Sequence, residues 1–378
     1  MSVLDNAYIK QAMPLICCTL RTFPMSTISQ PIHTSSTVTQ KPSVQTSLVD
    51  VTELVSTTKD LPCRILLKNE LEQPSGSFKL RGIGHLIHSS IIKARLEGKT
   101  EIEVFASSGG NAGLAAAYSA QFYNVPCTVV VPTFAMPQIV EKLKLFGAKV
   151  VLKGKTISEA DKNARKLMTL CDSSIHTIYC HPFDNPLIWE GHSQMIDEIF
   201  DSQLTVEEAK KLRGVICSVG GGGLYNGIMK GLKDNGSGAS CLLLETKQAP
   251  TLSESIRAGS VITLNSVNSV ATSLACSYVS PETLEMYNDQ STNKSFLRVI
   301  DDLDAVRGSI AFHKDFNKVI EPACGAAVSV VYNQIDFLKK SIPDLAKDDI
   351  VVVVVCGGSC TNDETLNNYN KMLRKSRL

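Results

Sequence analysis

No block of like charge runs through these 378 residues: lysine and arginine number 38, aspartate and glutamate 37. Binding to nucleic acid or to an anionic membrane surface through bulk electrostatics needs such a block, so neither partner is expected. No apolar run approaches the roughly 20 residues that span a bilayer, and the expectation is a soluble protein. None of the seven histidines stands at a zinc-like spacing from the twelve cysteines, and Cys356-x-x-x-Cys360 alone is a weak signal. No zinc is expected. The cysteines are scattered through apolar segments such as 127–131 and 216–217. That placement suits small buried hydrophobes in a reducing compartment better than disulfides. There is no clean dinucleotide G-x-G-x-x-G spacing, and no Walker lysine follows the glycine run at 220–223. No internal repeat or low-complexity tract interrupts the chain.

What is present is an alternating pattern. From Arg64 onward, short β-branched runs at 104–106, 127–131, 149–152, 214–219, 241–245 and 350–356 alternate with amphipathic stretches. In the latter, Ile83, Leu86, Ile87 and Ile91 share one helical face, as do Ile139, Leu143 and Phe146. This is the pattern of βαβ units, so the fold class is α/β with open, twisted, mostly parallel sheets. The length exceeds what one hydrophobic core usually supports, which predicts a large domain and a smaller one. Residues 1–45 differ from the rest: they are rich in Ser and Thr, with Asp5 as their only acid and Lys10, Arg21 and Lys41 as bases. They read as a disordered extension, with a mitochondrial presequence as the alternative.

Three strand ends lead into Gly- or Ser-rich turns: Ser107-Ser-Gly-Gly-Asn-Ala-Gly, the glycines Gly220, Gly221, Gly222 and Gly223, and Cys356-Gly-Gly-Ser. In open α/β sheets the ligand lies beyond the carboxyl ends of the strands, so the three loops are expected to converge. The tetraglycine loop opens a helix at Leu224, and its bare amides suit a phosphate; a generic turn or a nucleotide phosphate is the alternative. Lys79, after Pro74-Ser75-Gly76-Ser77-Phe78, stands at the start of a helix beginning near Gly82. Partly buried there, its amine forms an imine with an aldehyde cofactor; taken alone it reads as a surface lysine. Together with the glycine run it describes a pyridoxal phosphate site. The loop of Ser108, Gly109, Gly110, Asn111 and Ala112 can offer amides to a carboxylate or a phenolic oxygen, or simply cap the helix that follows.

These residues carry a resemblance. The Ser-Phe-Lys79-Leu-Arg-Gly segment, the Ser-Ser-Gly-Gly-Asn111 loop, His181-Pro-Phe-Asp-Asn-Pro with Ile188-Trp-Glu-Gly-His192, the tetraglycine, Glu321-Pro-Ala-Cys-Gly-Ala-Ala and Cys356-Gly-Gly-Ser follow one another in order. The chain from about Thr46 resembles the fungal and animal branch of the catabolic L-serine/L-threonine dehydratases, a fold type II pyridoxal phosphate family. The resemblance implies that Lys79 holds the internal aldimine and acts as base, and that Phe78 packs by the pyridine ring. It has Asn111 bonding the phenolic oxygen, 220–223 and Leu224 binding the phosphate, residues 108–112 clasping the substrate carboxylate, and Cys356 facing the pyridine nitrogen. A neutral thiol there leaves the ring unprotonated, which favours prompt loss of the β-hydroxyl over racemisation or transamination.

The resemblance also implies a large domain of residues 46–74 and 185–378, a small domain of 75–184, a homodimer, L-serine and L-threonine as substrates, and a cytoplasmic or mitochondrial location. A monovalent cation such as K+ would sit at the Glu245 carboxylate with main-chain oxygens of Gly220, Ala249, Leu274 and Cys276. Three positions depart from the family pattern: Gln248 and Ala275 stand where glycines are usual, and Thr46-Ser-Leu replaces Thr-Pro-Leu. Three alternatives stay open: a β-replacing relative of the cysteine or cystathionine synthase type, an impaired pyridoxal phosphate or amino-acid binding protein, and a nucleotide binder.

Overall fold

Ten strands and their connecting helices make up the protein in a computed structural model that describes residues 40–56 and 60–375. The strands are β1 (Leu48–Asp50), β2 (Arg64–Lys68), β3 (Ile102–Ala106), β4 (Cys127–Val131), β5 (Lys149–Leu152), β6 (His176–Cys180), β7 (Leu212–Ser218), β8 (Ser240–Thr246), β9 (Ser295–Ile300) and β10 (Ile350–Val354). Six form one sheet in the order β1-β2-β10-β7-β8-β9, in which β1 runs antiparallel to β2 and every other pairing is parallel. The other four form a parallel sheet, β5-β4-β3-β6. The two mid-sheet strands β10 and β7 explain the α/β reading: all five residues of β10, Ile-Val-Val-Val-Val, are buried, as a parallel strand covered on both faces requires. Edge strands β1, β6 and β9 are only partly buried, and their mixed polar and apolar residues do not stand out as apolar runs.

Helix starts follow local chemistry. Thr156 accepts from the Glu159 amide at 3.1 Å, and Asn185 accepts from the Leu187 amide at 2.9 Å ahead of Pro186 in the first turn. The helix Lys79–Leu96 begins three residues before the Gly82 expected from sequence, so Lys79 itself is its first residue. It buries Ile83, Leu86, Ile87 and Ile91, the face read from their spacing. All ten cysteines among the described residues are free, and seven of them are buried.

A charge cluster, not foreseen in the sequence, pins the start of this helix. Arg81 and Lys68 meet Glu70 and Glu198: Arg81 Nε lies 2.7 Å from Glu70, Arg81 Nη1 2.6 Å from Glu198, and Lys68 Nζ 2.6 Å from Glu198. Thr46 donates its hydroxyl to Glu70 at 2.7 Å. Two cations against two carboxylates leave no net buried charge, the condition under which such a cluster is tolerated. Next to it, Ser47 donates both its amide and its hydroxyl to Glu72 at 2.8 Å. A proline there has no N–H to donate, so the Thr46-Ser-Leu departure is matched by a new bond. Most of the segment read as an extension lies outside the described residues. Residues 40–45 are bound to the body: Val44 exchanges two hydrogen bonds with the Gln73 side chain.

Candidate active site

Because β10 and β7 are neighbours and parallel, the loops that leave their carboxyl ends emerge side by side. The Lys79 segment joins them. Phe78 donates its amide to Cys356 O at 3.2 Å, Gly358 donates to Gly76 O at 2.9 Å, and Ser77 bridges Gly357. The third loop arrives from β3 of the small sheet: Asn111 donates through Nδ2 to Glu321 at 3.0 Å and accepts the Ser359 amide at 2.9 Å. All three glycine-rich loops read from the sequence are therefore brought together.

Lys79 Nζ donates to Pro182 O at 2.6 Å and lies 5.1 Å from the Phe78 ring centroid. Burial lowers the pKa of its ammonium, opposed by the nearby Cys276 and Cys356 sulfurs. No carboxylate holds it charged, so the amine is available for imine chemistry. The Phe78 ring lies 4.9 Å from that of His192, tilted by 51°, and the two His192 ring nitrogens are buried without a hydrogen-bond partner. Burial and the neighbouring Lys79 and Arg81 keep that imidazole neutral, well below its ordinary pKa. Cys356 is buried with Sγ 3.9 Å from Ser218 Oγ.

The tetraglycine loop meets the helix Gly223–Asp234, whose first-turn amides have no acceptor within the helix. Gly222 adopts φ +92°, and its missing side chain is where Thr283 Oγ1 lies, 1.8 Å from an ideal Cβ. This cradle, together with the free amine, suits pyridoxal phosphate. In the loop after β3, Gly110 caps the helix Asn111–Phe122 with extended backbone and no side-chain cap. Capping by Ser108 or Asn111 is therefore not their use; Ser108 Oγ accepts from the Gly110 amide at 3.3 Å. Ala112 is buried, and a methyl at Gly109 would meet Val131 and Ala135 at 3.5 Å, ordinary contact. Gly109→Ala is expected to fold normally and, if the loop lines the substrate, to change the serine to threonine kcat/KM ratio roughly 5–150-fold, since one methyl is worth about 1–3 kcal/mol in a pocket. An unchanged ratio would remove Gly109 from the substrate's surroundings.

Glu245 is fully buried and accepts the amides of Leu252 at 2.5 Å and Ser253 at 3.0 Å. Burial pushes its pKa up to about 7 despite those bonds. The other residues of this corner are nearby: Leu274 O lies 3.2 Å from an ideal Cβ on Gly220, Cys276 O accepts the Thr251 hydroxyl at 2.6 Å, and Ala249 turns back on Thr246. The departures leave the turns intact. Ala275 has φ −73°, and non-glycine positive φ occurs among the described residues at Asn124 and Asn317, not at Gln248. Gln248 bonds Asp301 at 3.2 Å and accepts the Asp302 amide at 3.1 Å.

Four neighbours of the site went without a role in the sequence reading. Pro182 supplies the carbonyl for Lys79. Glu321 and Ser273 hold Asn111. His181 accepts the Phe183 and Asp184 amides at Nδ1, so its Nε2 carries the hydrogen and donates to Tyr278 OH at 3.0 Å. Burial lowers its pKa to about 4 and keeps it neutral. The His181 and Glu321 motifs are the sequence signals for these contacts, although their spacing names no partner.

Comparison with known proteins agrees with this geometry. A sequence profile described as pyridoxal-phosphate dependent enzyme matches residues 42–357, and the chain belongs to that family. It is 43% identical over 318 residues to a catabolic L-serine/threonine dehydratase of Saccharomyces cerevisiae, covering 82% of this chain and 87% of the relative. An L-serine dehydratase from Saccharomyces cerevisiae strain RM11-1a is 41% identical over 321 residues, 82% of this chain and 92% of the relative. The fold matches the crystal structure of a fungal L-serine ammonia-lyase from Rhizomucor miehei with a TM-score of 0.76 and 30% identity, covering 88% of this chain and 99% of that one. Pyridoxal phosphate is the cofactor of the family. No helix among the described residues is long and apolar enough to cross a membrane.

Proposed function

We propose that this protein is an L-serine/L-threonine ammonia-lyase, converting serine to pyruvate and threonine to 2-oxobutanoate, each with release of ammonia. One observation carries the reading: an uncharged-leaning lysine amine, a donor amide and a glycine cradle meet at the ends of β10, β7 and β3. The dehydratase relatives supply the substrate class. Pyridoxal phosphate, when bound, supplies the electron sink for the substrate's α-carbon. Lys79 would anchor it, and its amine is the base that would take the substrate's α-proton. Phe78 would cover the ring, Asn111 would donate to the phenolic oxygen, and the amides of 220–224 would bind the phosphate. The loop 108–112 holds the substrate carboxylate. Cys356 would face the pyridine nitrogen, where a thiol in place of a carboxylate favours loss of the β-hydroxyl. The enamine that leaves hydrolyses to the ketoacid and ammonia.

The residues divide into a small domain of 75–184 around the four-stranded sheet and a large domain of 46–74 with 185–378. A homodimer in the cytoplasm is the assembly and location that fit the family. Incubating the holoenzyme with L-serine, with and without a thiol, tests the reaction: ketoacid in both arms is expected. A thioether amino acid formed at the expense of ketoacid would mark a β-replacing enzyme instead.

Glu245 with the main-chain oxygens of Gly220, Ala249, Leu274 and Cys276 binds a monovalent cation such as K+. Its raised pKa sets the sign of the effect. As pH rises from the ordinary carboxyl value of 4.5 to about 7, the unfolded chain ionises at this group before the folded one, and stability falls. K+ bound to the ionised form offsets that loss. Replacing a bulky organic cation by K+ is therefore expected to raise Tm more at about pH 8 than at about pH 5, and Glu245→Gln is expected to remove the difference. An equal K+ shift at both pH values in the wild type would place the cation elsewhere.

A further inference from the structure

Hydrogen bonds around Asn111 converge on one buried carboxylate. Glu321 is 3% exposed and immediately precedes the helix Pro322–Tyr332. Its Oε1 accepts from Asn111 Nδ2 at 3.0 Å and from the Cys360 amide at 2.8 Å. Its Oε2 accepts from Asn111 Nδ2 at 3.2 Å and from the Ser273 hydroxyl. Room for the carboxylate depends on Gly358, which takes φ +130° and where an ideal Cβ would stand 2.1 Å from Glu321 Cδ. Residues from three loops, following β3, β8 and β10, thus meet at a single group.

The polarity of these bonds matters. A side-chain amide can turn either its NH2 or its oxygen to a neighbour, whereas an ionised carboxylate only accepts and a backbone amide only donates. Glu321 takes the NH2 end of Asn111 while the Ser359 N–H takes its oxygen at 2.9 Å, so two independent contacts select one orientation. The remaining Nδ2 hydrogen donates to Oγ of Ser273, an exposed residue, at 3.3 Å, and this longer bond is the one that bound cofactor would replace.

We propose that Glu321 is a positioning residue that fixes Asn111 as a hydrogen-bond donor toward the phenolic oxygen of bound pyridoxal phosphate, an inference that rests on the reading above and deepens it. A donor at that oxygen favours its ionised form, and with it the cofactor tautomer that absorbs visible light. A flipped amide would present a lone pair and favour the protonated phenol, which absorbs in the near ultraviolet.

The test uses absorption spectra and thermal unfolding of the holoenzyme, with no turnover required. Glu321→Gln is expected to lower the ratio of visible to near-ultraviolet absorbance roughly 10–150-fold, the size of one hydrogen bond to a charged group. The exchanged pair N111D/E321Q keeps an amide–carboxylate bond with the roles reversed. It is expected to regain Tm relative to either single variant while the visible band stays low, because an acceptor now faces the phenolic oxygen. A wild type that binds no cofactor would overturn the functional reading and this inference together. A wild type with the visible band, matched in ratio by Glu321→Gln, would overturn the positioning role alone. If Glu321→Gln does not fold, the exchanged pair decides: recovery of the wild-type spectrum along with Tm would reduce Glu321 to a structural residue.

Discussion

Lys79→Ala is expected to abolish ketoacid production from both L-serine and L-threonine while leaving the fold intact. Loss of a general base alone typically lowers a rate about 10²–10⁴-fold, and here the same change removes the amine proposed to anchor the cofactor. Lys79 Nζ makes a bond to Pro182 O, and no carboxylate depends on it for charge balance, so deletion strands no buried ion. The buried cations near the same helix start are Arg81 and Lys68, which Glu70 and Glu198 hold, and they are untouched by the change. Activity and thermal unfolding should therefore separate: turnover below roughly 10⁻⁴ of wild type, with Tm close to it. Retention of more than about 1% of the rate would exceed what removal of the base allows and would move the role to another residue.

Gly222→Ala is expected to have the second largest effect, this time on both stability and cofactor binding. An L-residue at φ +92° is strained by about 1–2 kcal/mol. The added methyl also falls 1.8 Å from Thr283 Oγ1 and 2.6 Å from Thr283 Cγ2. Thr283 has little freedom to move, since its hydroxyl donates to Asn226 Oδ1 at 2.9 Å and contacts Ser280 Oγ at 3.2 Å. Overpacking of this kind adds about 1–3 kcal/mol, so a total of roughly 2–5 kcal/mol is expected in denaturant unfolding. Because the strain falls in the cradle itself, cofactor retention should drop with it. Gly238→Ala serves as the control, since an added methyl there meets nothing within 4 Å. Equal stability of the two variants would mean that the loop relaxes freely and does not hold a fixed shape.

Much of the fold was legible because burial leaves a mark on composition. β4 and β10, buried throughout, coincide with the run read at 127–131 and with the first five residues of the 350–356 run; the edge strand β5 coincides with the run at 149–152 through its β-branched residues, although none of it is buried. The edge strands β1, β6 and β9 left a weaker mark: one side of each faces less protein, so polar residues such as His176, Thr177, Ser295 and Arg298 interrupt the apolar pattern. For the site, backbone chemistry was the readable part. Glycines that need a left-handed conformation or close approach, and a lysine at a helix start, announce themselves locally. Partnerships across the chain do not. Asn111 and Glu321 lie 210 residues apart, and Lys68 and Glu198 lie 130 apart, so nothing in their neighbourhoods names the other. The same holds for Pro182, whose carbonyl reaches Lys79 across 103 residues. Ser47 shows the opposite limit: a departure from the family pattern, visible in the sequence, is matched by two bonds to Glu72, which become visible once β1 is placed beside β2.

The central claim is that Lys79 carries the cofactor chemistry. Borohydride reduction of the holoenzyme, followed by proteolysis and peptide mass spectrometry, tests it most directly, because reduction fixes the cofactor to the amine that holds it. The account predicts the added mass of reduced pyridoxal phosphate on the peptide containing Lys79, and on no other lysine. A cofactor mass found on a different lysine, or no covalent label on a protein that shows the visible absorption band, would contradict it.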